Sequence, residues 1–184
     1  MKSIAAILLL VALSSASALQ APLVTKSANP IIKVAASGMS LLKPIFGAEA
    51  KLQAAILGGS VDEDDVIAEI EAEAQANKIL IYTYALSPFS TEAVAILESS
   101  GYDFEKIELG AEWFLLGPKN SVKRVALSKY AESGATSLPK VFIGGKCIGG
   151  CAELSSAVES GEFDELVKKA FSPAPKKGMF AKIF

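Results

Sequence analysis

Lys78-Ile-Leu-Ile-Tyr-Thr-Tyr-Ala-Leu-Ser-Pro-Phe-Ser-Thr-Glu-Ala-Val-Ala-Ile-Leu97 is the stretch around which the rest of the chain is arranged. Its opening residues, Ile79 to Thr83, are apolar and β-rich, which predicts a strand. At Ser87-Pro88 the pattern changes to helical spacing, with Ala93, Val94 and Leu97 on one face. Ser87 fits a helix N-cap whose oxygen accepts from a free backbone N–H, and Pro88 fits the first helical position with φ already set. The stretch therefore reads as a strand, a short loop and a helix start. Such a helix terminus leaves unpaired N–H groups and a partial positive charge facing the loop, an environment that suits a thiolate.

Ile81-Tyr82-Thr83-Tyr84-Ala85-Leu86-Ser87-Pro88-Phe89-Ser90 resembles the first strand and active-site loop of glutaredoxins, whose motif is Cys-Pro-Tyr-Cys or Cys-Gly-Phe-Ser. A second stretch, Ser137-Leu138-Pro139-Lys140-Val141-Phe142-Ile143-Gly144-Gly145-Lys146-Cys147-Ile148-Gly149-Gly150-Cys151-Ala152-Glu153-Leu154, is similar to the family's Thr-Val-Pro, strand, turn, strand and Gly-Gly-Cys segment. The resemblance spans roughly Lys78 to Phe171, about half the chain. It implies an α/β, thioredoxin-like fold with a central mixed four-stranded sheet flanked by helices, and it makes Pro139 the cis proline beside the active-site loop. It also implies that Ser87 stands at the position of the nucleophilic cysteine and Ser90 at that of the second. A glutathione site would be built from Phe89, the backbone of Leu138 before Pro139, Gly150, Cys151 and Glu153.

The chemistry of that family needs a thiol that ionises near neutral pH and attacks a disulfide. A helix terminus supplies at most about 2 kcal/mol, or roughly 1.5 pK units, enough for a thiol that starts near about 8.5. It cannot ionise a hydroxyl that starts nearer the value of about 15.7 for water. Ser87 is therefore expected not to be a redox nucleophile, and the replacement also removes the ligand with which some glutaredoxins hold an iron–sulfur cluster. Tyr84 and Thr136 stand where the resemblance implies cations for a glutathione carboxylate, and Ala152 replaces a polar residue. Two lost charged contacts at about 1.5–3 kcal/mol each predict weakened glutathione binding. The expectation is a redox-degenerate member of that family, binding glutathione or a protein partner. Two alternatives remain: oxidoreductase chemistry through Cys151 or Cys147, and a transferase-like use of the Ser87 hydroxyl, because Ser-Pro-Phe-Ser also resembles the N-terminal motif of plant-type glutathione transferases.

Composition narrows the field further. The chain has 184 residues, a net charge of −2 and no histidine, which removes Ser-His and Cys-His catalysis and every histidine-containing metal site. No concentrated basic face suggests nucleic acid. Cys147 and Cys151 are the only cysteines, so a disulfide framework and a four-cysteine cluster within one chain are both excluded, and no metal is expected. A cysteine in or beside a hairpin is usually a small buried hydrophobe; a functional thiol or a Cys147–Cys151 disulfide is the alternative.

Met1-Lys2, the apolar run from Ile4 to Leu13 and Ala16-Ser17-Ala18 predict a signal peptide over 1–18. Residues 19–47 hold lysines but no acidic residue before Glu49, a transit-peptide composition. Together they resemble the bipartite presequence of plastid proteins, which implies a plastid location, with secretion as the alternative. Residues 48–77 read as a helical extension: a short helix from Ala48 to Leu57, then an acidic helix capped by Ser60 with Glu63 in a capping box and carrying Val61, Val66, Ile67 and Ile70. Its acidic run reads as a solvated face, with a calcium or partner role as the alternative. Within 78–171 a second strand is expected over Phe104 to Leu109 and a helix over Ser121 to Ala131. The aromatic loop Gly110 to Asn120 reads as core or as a partner patch. A hairpin turning at Gly144-Gly145 and helices near Ala152 to Val158 and Glu162 to Phe171 complete the domain. Residues 172–184 are Pro-rich and basic and read as a flexible tail. The native protein is expected to lack at least residues 1–18, which N-terminal sequencing checks; a mature terminus at Met1, Lys2 or Ser3 would rule out both targeting readings.

Overall fold

The computed structural model describes residues 43–57 and 59–171; the signal, most of the transit-type segment and the basic tail lie outside these residues. The order is α1 (Lys43–Leu57), α2 (Glu63–Ala76), β1 (Ile79–Tyr84), α3 (Pro88–Ser100), β2 (Glu105–Gly110), a 3-10 turn (Trp113–Leu115), α4 (Pro118–Ser128), β3 (Lys140–Ile143), β4 (Lys146–Gly149), α5 (Cys151–Ser160) and α6 (Glu162–Phe171). The strands form one four-stranded sheet ordered β2-β1-β3-β4. β1 runs parallel to β2, with Leu80 opposite Glu105, and antiparallel to β3, with Ile81 opposite Val141. This is the mixed, helix-flanked sheet of the thioredoxin-like fold.

All of β1 is buried, as a central strand covered on both faces requires. Alternation sends Ile79 and Ile81 to one layer, with Val141, Ile143, Ala93, Leu97, Leu154, Phe163 and Val167 from β3, α3, α5 and α6. Leu80, Tyr82 and Tyr84 go to the other, with Phe142, Val66, Ile70, Ala74, Val122, Ala126 and Leu127. The outer strand β2 carries charged, exposed Glu105, Lys106 and Glu108, which discourage pairing along its free edge. Gly144 and Gly145, at φ 57° and 80°, give the β3–β4 turn the left-handed backbone that a two-residue hairpin needs.

Several element ends differ from the sequence reading for local reasons. α1 starts at Lys43 rather than Ala48. The cap of α2 is Asp62, not Ser60: its carboxylate accepts from the Asp64 N–H at 2.9 Å, and a charged acceptor suits the positive helix terminus better than a hydroxyl. Val61 then precedes the cap and joins Val66 in the same apolar layer, a staple across the first turn. α4 begins at Pro118, which supplies the first helical φ, and ends at Ser128; Gly134 closes a later turn by donating to Ala131 O at 2.8 Å. The aromatic loop divides, with Leu116 buried, Trp113 half-buried and Phe114 and Leu115 exposed.

α2 contributes core rather than a detached arm, since Ile70 is completely buried against the layer that holds Leu80 and Tyr82. Ile70→Ala is expected to cost about 2–5 kcal/mol, the range for a large-to-small change in a packed core. Urea titration checks this; a loss below about 1 kcal/mol would mean that α2 is dispensable to the fold.

Candidate functional site

The loop that leaves β1 is fixed from both ends. Ala85 N–H donates to Gly110 O and Leu86 N–H to Ala111 O, both at 3.0 Å, which ties the loop to the end of β2. Ser87 then caps α3 with extended backbone, its Oγ accepting from Ser90 N–H at 3.4 Å, and Pro88 occupies the first turn. Thr91 donates through both N–H and hydroxyl to the Ser87 carbonyl, at 3.0 and 3.2 Å. Ser90 Oγ accepts from the Tyr84 N–H at 3.1 Å, a bond that pins the helix start to the strand end. Ser87 is 6% and Ser90 2% exposed, so both hydroxyls sit in the joint between strand and helix. Phe89 is half-buried against the layer that contains Cys151.

A second arm comes from the β3 side. The Leu138–Pro139 peptide bond is cis, and both residues are buried. Gly150 lies so close that a Cβ there would sit 3.1 Å from the Pro139 carbonyl oxygen. Gly149, at φ 119°, has the same restriction from its other side, since a Cβ would meet Glu153 Cγ at 2.6 Å. The structure thus brings Pro139, Gly150, Cys151 and Glu153 together at the start of α5. Glu153 is not free at this point: its carboxylate accepts from the Gly150 N–H at 2.8 Å and caps the helix.

Arg124, which the sequence reading does not single out, lies beside the segment that leads into Leu138. It is 2% exposed on α4. Its Nε donates to the Thr136 carbonyl at 3.2 Å, its Nη1 meets Glu49 Oε2 of α1 at 2.9 Å, and its guanidinium lies 5.5 Å from the Trp113 ring centroid. Tyr84 is close enough to feel the same charges. Burial pushes its phenol well above the ordinary range, the Arg124 cation opposes that shift, and Glu112 and Glu49 add to it. Among the described residues the Tyr84 hydroxyl and the Thr83 hydroxyl are buried without a hydrogen-bond partner. Sequence reasoning counted Tyr84 and Thr136 as lost cations; the structure places one guanidinium beside both. The signal available in the sequence was weak, an arginine flanked by Val122, Val125 and Ala126 on a helix read as having one apolar face.

The two cysteines are free, Cys147 half-buried and Cys151 buried. Cys151 belongs to the layer with Leu154 and Val141, whereas Cys147 packs against the opposite layer. Burial, with Glu92 and Glu153 nearby, pushes the Cys151 thiol from 9.0 up to about 12. Burial also raises Cys147, only partly offset by the Gly149 N–H and Lys140. Among the described residues no group of three or more His, Cys, Asp or Glu side chains is placed to hold a metal ion, and no helix is long and apolar enough to cross a membrane.

Comparison with known proteins agrees with this architecture. The chain is 33% identical over 88 residues to glutaredoxin 3 of Escherichia coli (strain K12), covering 48% of this chain and 94% of that protein. It is 30% identical over 95 residues to a glutaredoxin of Vernicia fordii, covering 52% and 85%. Solved structures include the buckwheat glutaredoxin–glutathione complex, at TM-score 0.52 and 18% identity over 59% of this chain and 92% of that one. Oxidized glutaredoxin 2 from Chlamydomonas reinhardtii matches at TM-score 0.50 and 25% identity, over 60% and 97%. No protein-family model matches the chain. The chain belongs to the glutaredoxin family.

A thiol raised from 9.0 to about 12 has a thiolate fraction at neutral pH roughly a thousandfold lower. Cys151 is therefore expected to alkylate with iodoacetamide at pH 7.5 at least a hundredfold more slowly than free cysteine, and Cys147 more slowly than free cysteine too. Mass spectrometry of a timed reaction checks this, and modification of Cys151 at the free-cysteine rate would contradict the buried geometry.

Proposed function

We propose that this chain is a redox-degenerate glutaredoxin-family protein, one that binds glutathione, free or carried on a protein, without thiol–disulfide turnover of its own. The single observation that carries the reading is Ser87: at the helix cap where the family's sequence pattern places a nucleophilic cysteine, this chain has a hydroxyl whose oxygen already accepts from Ser90 N–H at 3.4 Å. A helix terminus shifts a pKa by roughly 1.5 units, far short of what a hydroxyl needs. The remaining thiols do not substitute for it. Cys151 is 5% exposed and its thiol is raised to about 12, so it stays protonated where a nucleophile would have to be ionised.

Binding draws on different groups, and they are present. A tripeptide thiol with carboxylates at both ends needs backbone donors and acceptors for its peptide units and a cation for a terminal carboxylate. The Leu138–Pro139 arm and the Gly149-Gly150 turn approach each other closely, since a Cβ at Gly150 would lie 3.1 Å from the Pro139 carbonyl oxygen. Arg124 supplies a planar, bidentate-capable cation beside Tyr84 and Thr136. Glutathione is the ligand of the buckwheat glutaredoxin in its complex, and that relative shares this fold. A plastid location belongs to the same proposal and rests on the composition of residues 1–47.

Wild-type protein is expected to show negligible glutathione-dependent reduction of a small disulfide. Ser87→Cys should place a thiol at the start of α3 that titrates clearly below about 8.5 and gains measurable disulfide-reducing activity. Alkylation rate against pH, run beside the reduction assay, reads both. Turnover in the wild type that disappears in Cys151→Ser would instead establish Cys151 as the working thiol. A lysine in place of Tyr84 is not expected to help, because that side chain is 4% exposed and its charge would press on Arg124.

A further inference from the structure

α1 closes over the Arg124 side of the site through one face. Phe46, Glu49 and Gln53, at helical spacing, all point the same way. The Phe46 carbonyl accepts from the Thr136 hydroxyl at 3.3 Å, and its ring meets Trp113 edge-on at 6.2 Å. Glu49 takes Arg124 at 2.9 Å. Gln53 accepts from Arg124 Nη1 at 3.4 Å and donates to the Trp113 carbonyl at 3.0 Å. Trp113 itself follows Gly110 and Ala111, which anchor Ala85 and Leu86, so the helix spans from Trp113 to the segment leading into Leu138.

We propose that α1 is an intramolecular plug whose Glu49 carboxylate occupies Arg124 in place of a ligand carboxylate, so that a glutathione-type peptide binds by displacing the helix. The inference rests on the glutathione-binding reading above. A buried arginine left without an anion is costly, and the exchange of one carboxylate for another avoids that cost. What holds the plug shut is then the remaining contacts of Phe46 and Gln53, against which the ligand has its own contacts to offer. The features of α1 suit a segment that moves as a unit. Its link to α2 contains Gly59, around which a Cβ would meet nothing within 4 Å, and its Ile45, Leu52 and Ile56 remain exposed. A ligand that binds only the open form has its affinity reduced by the fraction open, so anything that loosens α1 raises apparent affinity without touching the site itself.

The test uses the full chain and reduced glutathione in isothermal titration calorimetry, with hydrogen exchange of residues 43–57 measured in parallel. Glu49→Gln keeps the shape and removes the charge, and it should bind at least tenfold more tightly than wild type. Phe46→Ala, which loosens the helix while leaving Glu49 and Arg124 in place, should also tighten binding. Saturating glutathione should speed exchange across 43–57 in the wild-type protein, a readout that needs no variant. Binding by wild type with no gain in either variant and no change in exchange would overturn the plug and leave the glutathione site standing. No binding by wild type or either variant, at unchanged exchange, would overturn the site and the plug together.

Discussion

Burial of β1 on both faces is the constraint from which the architecture follows. A strand whose six residues are all buried must be covered above and below and must be paired along both edges. α2 and α4 meet one demand, α3, α5 and α6 another, and β2 and β3 the last. Because α3 has to start where β1 ends, the Ser87 cap is placed by the core and not by the loop. The cap then fixes what can happen there. The hydroxyl that terminates the helix sits at the end of a fully buried strand, with the neighbouring Ser90 bonded back to the strand backbone.

The α2/α4 side of that core is unusual in carrying charge. Lys123 and Arg124, consecutive on α4, are both buried. Lys123 reaches Glu73 at 2.7 Å and Glu69 at 3.4 Å, and Glu73 also accepts from the Tyr82 hydroxyl. This first group is satisfied within the body formed by α2, β1 and α4, and removal of one partner would leave an uncompensated charge costing about 3–5 kcal/mol. Arg124 differs because its anion comes from α1, which packs on α4 from outside the sheet. One buried cation is therefore neutralised by α2 and its neighbour by α1.

The fate of the reactive groups follows from the same layers. Cys147 and Cys151 are four residues apart in sequence, yet the strand-to-helix change between them sends their side chains to opposite sides of the sheet. On the Cys147 side burial outweighs the Gly149 N–H and the Lys140 charge. Cys151 faces Glu92 and Glu153 from within an apolar cluster, which is the reverse of what lowers a thiol pKa. The place that does have the right polarity, the start of α3, carries serine.

The sequence by itself determined the strand–loop–helix at Ser87, the hairpin at Gly144-Gly145 and the glutaredoxin-like order of motifs, because each is set by residues adjacent in the chain: N-cap chemistry, proline φ, glycine turns and short-period apolar patterns. It placed the ends of α2 and α4 less well, since Ser60 and Asp62 are both acceptable caps in isolation and Pro118 lay in a stretch read as loop. Only the tertiary structure decided that α2 is core, that the two thiols are separated by the sheet, and that Arg124 stands beside Tyr84 and Thr136 with Glu49 on it. Those pairings join residues 75 and 12 positions apart, Arg124 to Glu49 and to Thr136. No local periodicity encodes which distant carboxylate meets a buried guanidinium; that is settled when packing removes water and sets Glu49 against Arg124.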